Sequence, residues 1–531
     1  MYLWRNFLFF FLIISFLLCQ IFQLACAENV TQLHFKQNQF SKLSINTQNN
    51  KKIFIKTDTM LLKINKHGGD IEEAYLLTYK DKLNSIKPFR LLQTSSDFSY
   101  QAQSGITGIN SSDNSRYEIK PWFTSAKSYF QLKNGQNELR VPMLWIDQYG
   151  VIYKKTFILT PGSYVVKVEY LIQNKSNKIL NLSMFGQLKQ TVKLPKNRDV
   201  HNNNFLIQNF RGAACSTEYS KYEKYKFNDI LNHKNVYTKT KNGWVAMLQQ
   251  YFVTAWIPCS EGDNIIYTSN LGNGVAAIGY KSHSFRVMPE KKYKISSKLW
   301  IGPAIQESMS VLAPNLDLTV DYGFLWFLSQ PLFKLLRYFN NILHNWGVAI
   351  ILITLVMRII MYPFTKSQYI SMVKIRSLQP QINDLKVKFA DNKTKLSQEI
   401  MSLYKREHIN PFSGFFSLLI QMPIFLALYY MLIGSIELRH APFVLWITDL
   451  SAQDPFYVLP IITGITMFYI QRMSPSTISD PVQRNIVNFI PILFSLFFLW
   501  FPSGLVLYYI VSNIVTIFQQ KIICSKLKKV D

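Results

Sequence analysis

Acidic side chains are scarce in this chain: 31 Asp and Glu stand against 58 Lys and Arg, a formal net charge of +27. An excess of that size suits nucleic acid or an anionic surface. However, the lysines are spread through an Asn-rich N-terminal half as well as short loops further on, and no nucleic-acid motif accompanies them, so DNA is not an expected partner. Cysteine is also sparse, with Cys19, Cys26, Cys215, Cys259 and Cys524. No CxxC or His/Cys spacing offers a metal site. Cys215 and Cys259 leave two states open, a disulfide or two unpaired, buried thiols. The 8 His are scattered. Walker loops, GxSxG, HExxH and carboxylates paired in or beside an apolar run are missing. No cofactor and no enzyme activity are expected.

Apolar residues, by contrast, are abundant at 48%, with 15% aromatic. They collect in runs long enough to cross a bilayer. Asn6 to Ala27 carries no charge. Two readings are open for it, an N-terminal transmembrane anchor or a secretory signal cut after Ala25-Cys26-Ala27. Five further spans are expected at about 345–364, 415–435, 456–472, 486–501 and 503–521. The segment between the first two of these is basic, with Lys366, Lys374, Arg376, Lys386, Lys388, Lys393, Lys395, Lys405 and Arg406. Its amphipathic pattern, with Leu396, Ile400 and Leu403 on one face, predicts a helical hairpin over 366–408. Basic loops stay in the cytoplasm, which places both termini inside and the large N-terminal region outside.

That outer region begins with a polar linker, 28–50, and turns to short alternating strands from Lys52. The clearest hairpin pairs 150–159 with 164–172 around Thr-Pro-Gly-Ser. Strands of this spacing, punctuated by Gly, Pro and Asn, predict an antiparallel β-sandwich over 51–320. An amphipathic helix follows at 321–344, either lying in the membrane interface or docked on the sandwich. The insertion of Pro331 starts or breaks it. The fold class is therefore an α+β multi-pass membrane protein, with residues 345–531 as its membrane core.

Arg358 stands in the middle of the first core span. A charge near the bilayer centre costs roughly 2.5–3.5 kcal/mol on insertion scales, so it is expected to face a wet cavity or a partner rather than lipid. Thr354 and Tyr362 lie one turn either side on an unbroken helix. The last span carries a second polar stripe of Tyr509, Asn513, Thr516 and Gln520 beside Tyr508, Ser512 and Gln519. Polar residues so placed serve as interhelical glue or line a groove.

Long strings in the chain resemble the YidC/Oxa/Alb family of membrane protein insertases in its Gram-negative form. They are Arg358-Ile-Ile-Met-Tyr-Pro363, Leu419-Ile-Gln-Met-Pro-Ile-Phe-Leu-Ala-Leu-Tyr-Tyr430, the run from Phe443 to Pro455 and the run from Leu499 to Asn513. Phe185-Gly-Gln-Leu-Lys-Gln190 and Gly243-Trp-Val-Ala-Met-Leu-Gln-Gln-Tyr251 match in the outer region. The resemblance implies an uncleaved first helix, a periplasmic β-supersandwich and a five-helix insertase core in the inner membrane. It places a substrate groove at Arg358, Thr354, Tyr509 and Phe425, with Tyr508, Ser512, Asn513 and Gln421 as further polar candidates. The implied partners are nascent membrane proteins, the ribosome (through 366–408 and the short basic C-terminus), the Sec translocon with its accessory subunits, and membrane lipids. Two rivals remain at this stage, a secondary transporter using Arg358 as an anion site and a periplasmic carbohydrate-binding protein.

Overall fold

The computed structural model describes residues 51–108, 120–195, 210–232, 236–259, 262–320, 322–389, 392–407, 413–473 and 481–527. The expected anchor 1–27, the linker 28–50, the turn of the 366–408 hairpin and the last basic residues lie wholly or partly outside them. Contacts divide the described residues into two units, one ending at Val320 and the other following it.

The described strand pairings of the first unit are antiparallel apart from one short parallel pairing, Lys52–Lys56 with Tyr129–Gln131, and the short helices Phe227–Leu231 and Gln306–Leu312 accompany the sheets. An 11-stranded sheet and an 8-stranded sheet form a sandwich. Val165–Gln173 shows the logic, alternating partly exposed and buried residues with the period of two that a half-buried strand requires. The expected hairpin is present, with Ile152–Leu159 paired to Val165–Gln173 from Leu159↔Val166 to Ile152↔Gln173.

One buried cation joins the sheets. Lys155, on Ile152–Leu159 of the 8-stranded sheet, is 0% exposed. Its Nζ donates to the carbonyls of Gly69 at 2.7 Å, Ser104 at 2.9 Å and Gly68 at 3.3 Å, all from the other sheet or its turn. The rings of Phe157, Tyr170 and Phe123 surround it at 5.3, 5.4 and 5.9 Å. Three acceptors and three aromatic faces replace its lost water. Gly69 is required here, because its φ is +65° and a Cβ would come within 2.9 Å of Nζ.

Cys215 and Cys259 are free thiols, which settles the open pairing. Cys215 is buried as expected for an unpaired thiol, whereas Cys259 is exposed just past the end of its strand. Burial pushes the Cys215 thiol up to about 11, against a smaller opposing effect of the Tyr225 hydroxyl.

The second unit is helical. Its helices are α1 (Trp326–Leu343), α2 (Trp346–Ile360), α3 (Tyr362–Ser377), α4 (Gln379–Lys388), α5 (Lys393–Arg406), α6 (Ser413–Gly434), α7 (Val458–Met473), α8 (Pro481–Phe497) and α9 (Ser503–Leu527). Pro331 lies inside α1 and neither starts nor ends it. α1 packs on α2 and α6, burying Leu332, Phe333 and Leu336, with the Ser329 hydroxyl donating to the Ala427 carbonyl at 3.0 Å. Phe324, Trp326, Phe327 and Tyr338 remain exposed. α4 and α5 close on a small apolar core of Leu378, Ile382 and Leu403.

By length and composition, α9 is apolar enough over Ser503–Ile523 to cross a membrane, and α2 with α3 passes as a pair bent by 59°. Gln421–Gly434, Val458–Met473 and Asn488–Trp500 are shorter apolar helices. The continuous helix expected through Tyr362 is thus corrected. Pro363 clashes with the carbonyl four residues back and ends α2, but it is well tolerated in the first turn of α3.

Two outcomes are expected. Lys155→Met leaves the Gly69 carbonyl unpaired and lowers sandwich stability by about 1–3 kcal/mol, read as a lower denaturation midpoint; an unchanged midpoint contradicts the account. Alkylation of the folded protein followed by peptide mapping modifies Cys259 and spares Cys215 until denaturant is added.

Candidate functional site

The bend decides where Arg358 sits. α2 begins at Asn345, whose side chain accepts from the Val348 amide at 3.1 Å as an N-cap. It ends at Ile360, so Arg358 occupies the last turn. The unpaired carbonyls and negative dipole end of that turn favour a cation. From Asn345 to Arg358 the helix rises about 20 Å.

α9 supplies the partners. Tyr508, Ser512 and Gln519 fall on one face of it, at steps of four and seven. Arg358 Nε donates to the Ser512 hydroxyl at 2.8 Å, and Nη2 is directed at the same oxygen. Gln519 Nε2 donates to the Arg358 carbonyl at 3.3 Å. Tyr508 is buried, and its hydroxyl accepts from Gln421 Nε2 at 2.9 Å. Among the described residues no carboxylate forms an ion pair with Arg358, and no group of three or more His, Cys, Asp or Glu converges. The guanidinium is half-buried and held by a neutral hydroxyl.

The remaining candidates divide. Phe425 and Tyr509 meet edge to face with centroids 6.1 Å apart, and Phe498 packs on Tyr509 at 4.8 Å, forming an aromatic wall. Asn513 is turned away from Arg358 toward α7, its Nδ2 on Thr466 Oγ1 at 3.0 Å. Thr354 is fully buried and its hydroxyl donates to the Ile350 carbonyl of its own helix at 2.6 Å. It packs between helices instead of presenting a polar group. Tyr362 belongs to the helix beyond the bend, so the three-residue stripe expected on α2 is reduced to Arg358.

One device was missed in the sequence. The segment between α6 and α7 folds as a cap over the helix ends on the side away from Arg358. The Asn345 carboxamide donates to the Phe443 carbonyl at 3.2 Å. Ser503 donates its amide and hydroxyl to the Ala452 carbonyl at 2.7 and 2.8 Å, and the Gly504 amide donates to the Leu450 carbonyl at 2.9 Å. The Asp454 carboxylate accepts from Trp446 Nε1 and from the Phe456 and Leu459 amides, capping α7. Phe443 lies against Gly347, where a Cβ would fall 2.0 Å from the ring. The helix-capping residues Asn345 and Asp454 were the readable part of this signal; the pairing across about 100 residues was not. Gly347→Ala is expected to unseat Phe443 and expose the cap, measured as faster proteolysis or cysteine labelling at 443–447; unchanged protection contradicts the arrangement.

Residues 52–335 match the family model of the YidC periplasmic domain, and 338–530 match that of the 60Kd inner membrane protein. The chain is 56% identical over 527 residues to the membrane protein insertase YidC of Buchnera aphidicola subsp. Acyrthosiphon pisum (strain 5A), covering 99% of both. It is 57% identical over 533 residues to that of Buchnera aphidicola subsp. Schizaphis graminum (strain Sg), covering 100% of this chain and 99% of the relative. A crystal structure titled as an active YidC insertase with the first transmembrane domain resolved matches 88% of this chain and 91% of its own, at 18% identity and a TM-score of 0.39. These insertases lend the transporter reading no support, and theirs is not an enzyme family. The chain belongs to the YidC family of inner-membrane protein insertases, with a periplasmic β-sandwich domain and a helical C-terminal region.

Proposed function

We propose that insertion proceeds through a groove built on Arg358, Ser512, Tyr508 and Gln421, walled by Phe425, Tyr509 and Phe498. The observation that carries this reading is a cation at the end of α2 with a hydroxyl partner and, among the described residues, no acid. A paired charge would be spent, whereas this one keeps donors free. Drawing a polar segment across about 30 Å of hydrocarbon strands its backbone groups at several kcal/mol each. A hydrated recess reaching Arg358 shortens that path from the cytoplasmic side. The distance left is the roughly 20 Å between Arg358 and the cap. The guanidinium attracts acidic side chains or backbone carbonyls of the segment, and the substrate's own apolar helix leaves along the aromatic wall into lipid, driven by burial.

In this proposal α2 with α3, α6, α7, α8 and α9 are the five spans of the core, and 1–27 is an additional anchor. Rows of exposed apolar side chains on α7 and α8, such as Ile461, Ile465, Phe489 and Leu493, support a lipid-facing role. Both termini and the α4–α5 hairpin then lie in the cytoplasm. The basic hairpin, with the basic C-terminus, meets the ribosome, and the exposed aromatics of α1 meet lipid at the interface. The Sec translocon is a partner for substrates with larger exported parts.

Charge should matter more than shape. Arg358→Ala and Arg358→Glu are expected to slow insertion about tenfold or more, the worth of a charge-assisted hydrogen bond, while Arg358→Lys retains most activity. Reconstituted insertion and growth complementation check this. Equal insertion of every substrate by Arg358→Ala and the unaltered protein would falsify the proposal.

A further inference from the structure

Gln519 carries a group that the charge-based mechanism leaves idle. Its Nε2 donates to the Arg358 carbonyl, and its Oε1 is buried and accepts no hydrogen bond from the described residues. Only a donor can face a carbonyl, so the chemistry fixes which carboxamide atom is the nitrogen and which the oxygen. A buried acceptor without a partner costs about 1–3 kcal/mol, and such groups call for a functional explanation. Neighbouring polar groups are already committed. The Tyr508 hydroxyl accepts from Gln421, the Thr516 hydroxyl donates to the Ser512 carbonyl at 2.8 Å, and Asn513 holds Thr466. Arg358 has the complementary surplus, since a guanidinium carries five N–H donors and only Nε and Nη2 are directed at Ser512. Spare donors at Ser512 and a spare acceptor two turns further along α9 therefore flank the Arg358 backbone, about 10 Å apart along the helix axis.

We propose that Arg358 and Gln519 together bind the main chain of the passing segment. The guanidinium donates to a peptide carbonyl, and Gln519 Oε1 accepts from a peptide N–H. The ligand is an extended polypeptide backbone of any side-chain sequence. Every non-proline residue brings one donor and one acceptor, so a cation alone would satisfy half of each peptide unit and leave the N–H stranded. Gln519 takes an N–H about three residues further along the same extended segment. The inference rests on the reading of the groove as the path of the translocated segment.

The test uses the full chain in proteoliposomes and a single-span substrate with a short, uncharged polar exported segment, made with backbone amides or with esters that delete N–H groups. Esters are expected to slow insertion by the unaltered protein about two- to tenfold, the worth of one hydrogen bond. Gln519→Met and Gln519→Leu should insert the all-amide substrate more slowly by a similar factor and lose most of the ester penalty, whereas Arg358→Lys should keep it. Thermal unfolding in micelles identifies which Gln519 variant is folded and so gives the reading. Unaltered all-amide rates, or a full ester penalty in a folded Gln519 variant, overturn the inference. If Arg358→Ala is slow in the same assay, the groove reading survives that result; if Arg358→Ala is also unaffected, the groove reading itself has failed.

Discussion

A guanidinium held by a hydroxyl, with no carboxylate beside it among the described residues, sets the terms for the helical unit. Arg358 can be carried inside the helical unit because three inexpensive features converge. The last turn of α2 offers free carbonyls and the negative end of a helix dipole. Ser512 accepts two of its N–H groups, and Gln519 fixes its carbonyl. Each depends on α2 stopping at Ile360, and Pro363 imposes that stop. An acid in the same place would hold the charge more firmly and remove it from use.

The sandwich solves a similar problem with the opposite outcome. Lys155 is also a buried cation without a carboxylate, but three carbonyls and three rings saturate it. Nothing is left to offer a ligand, and its effect is to lock one sheet to the other. Arg358 is undersaturated and half-buried, which is what a binding group requires. Saturation thus separates a structural cation from the proposed binding one in a chain with few acids.

The rigid frame for Arg358 lies at the other end of α2. Phe443 seated on Gly347, with Asn345, Ser503 and Gly504 bonded to the same cap, ties the starts of α2 and α9 together. The two helices are therefore anchored where they begin and meet again at Ser512. Much of this was legible in part. A lone Arg in an apolar run, a Tyr-Pro that ends a helix, and a polar stripe at helical spacing all appear in the sequence. So do the alternating strands of the sandwich, because the period of two is local. What was missed had two sources, local bonds and breaks that spacing hides and contacts with partners far along the chain. Thr354 looked like a groove residue but spends its hydroxyl on its own helix, a back-bond that spacing does not reveal. Tyr362 was placed on Arg358's face by treating the helix as unbroken, although Pro363 was already in view. Cys259 emerged as exposed because its position past a strand end, not its residue type, decides its burial. The contact of Phe443 with Gly347 gave no signal, since packing of a ring on a glycine requires both ends of the contact to be known.

Hydration of the Arg358 side chain in a bilayer tests the central claim most directly. Water-edited solid-state NMR of guanidinium-labelled protein, with the Arg358 signal identified by its loss in Arg358→Lys, measures transfer of polarisation from water and from lipid acyl chains. The account predicts rapid transfer from water and little from acyl protons. A dry guanidinium polarised chiefly by lipid tails would contradict it.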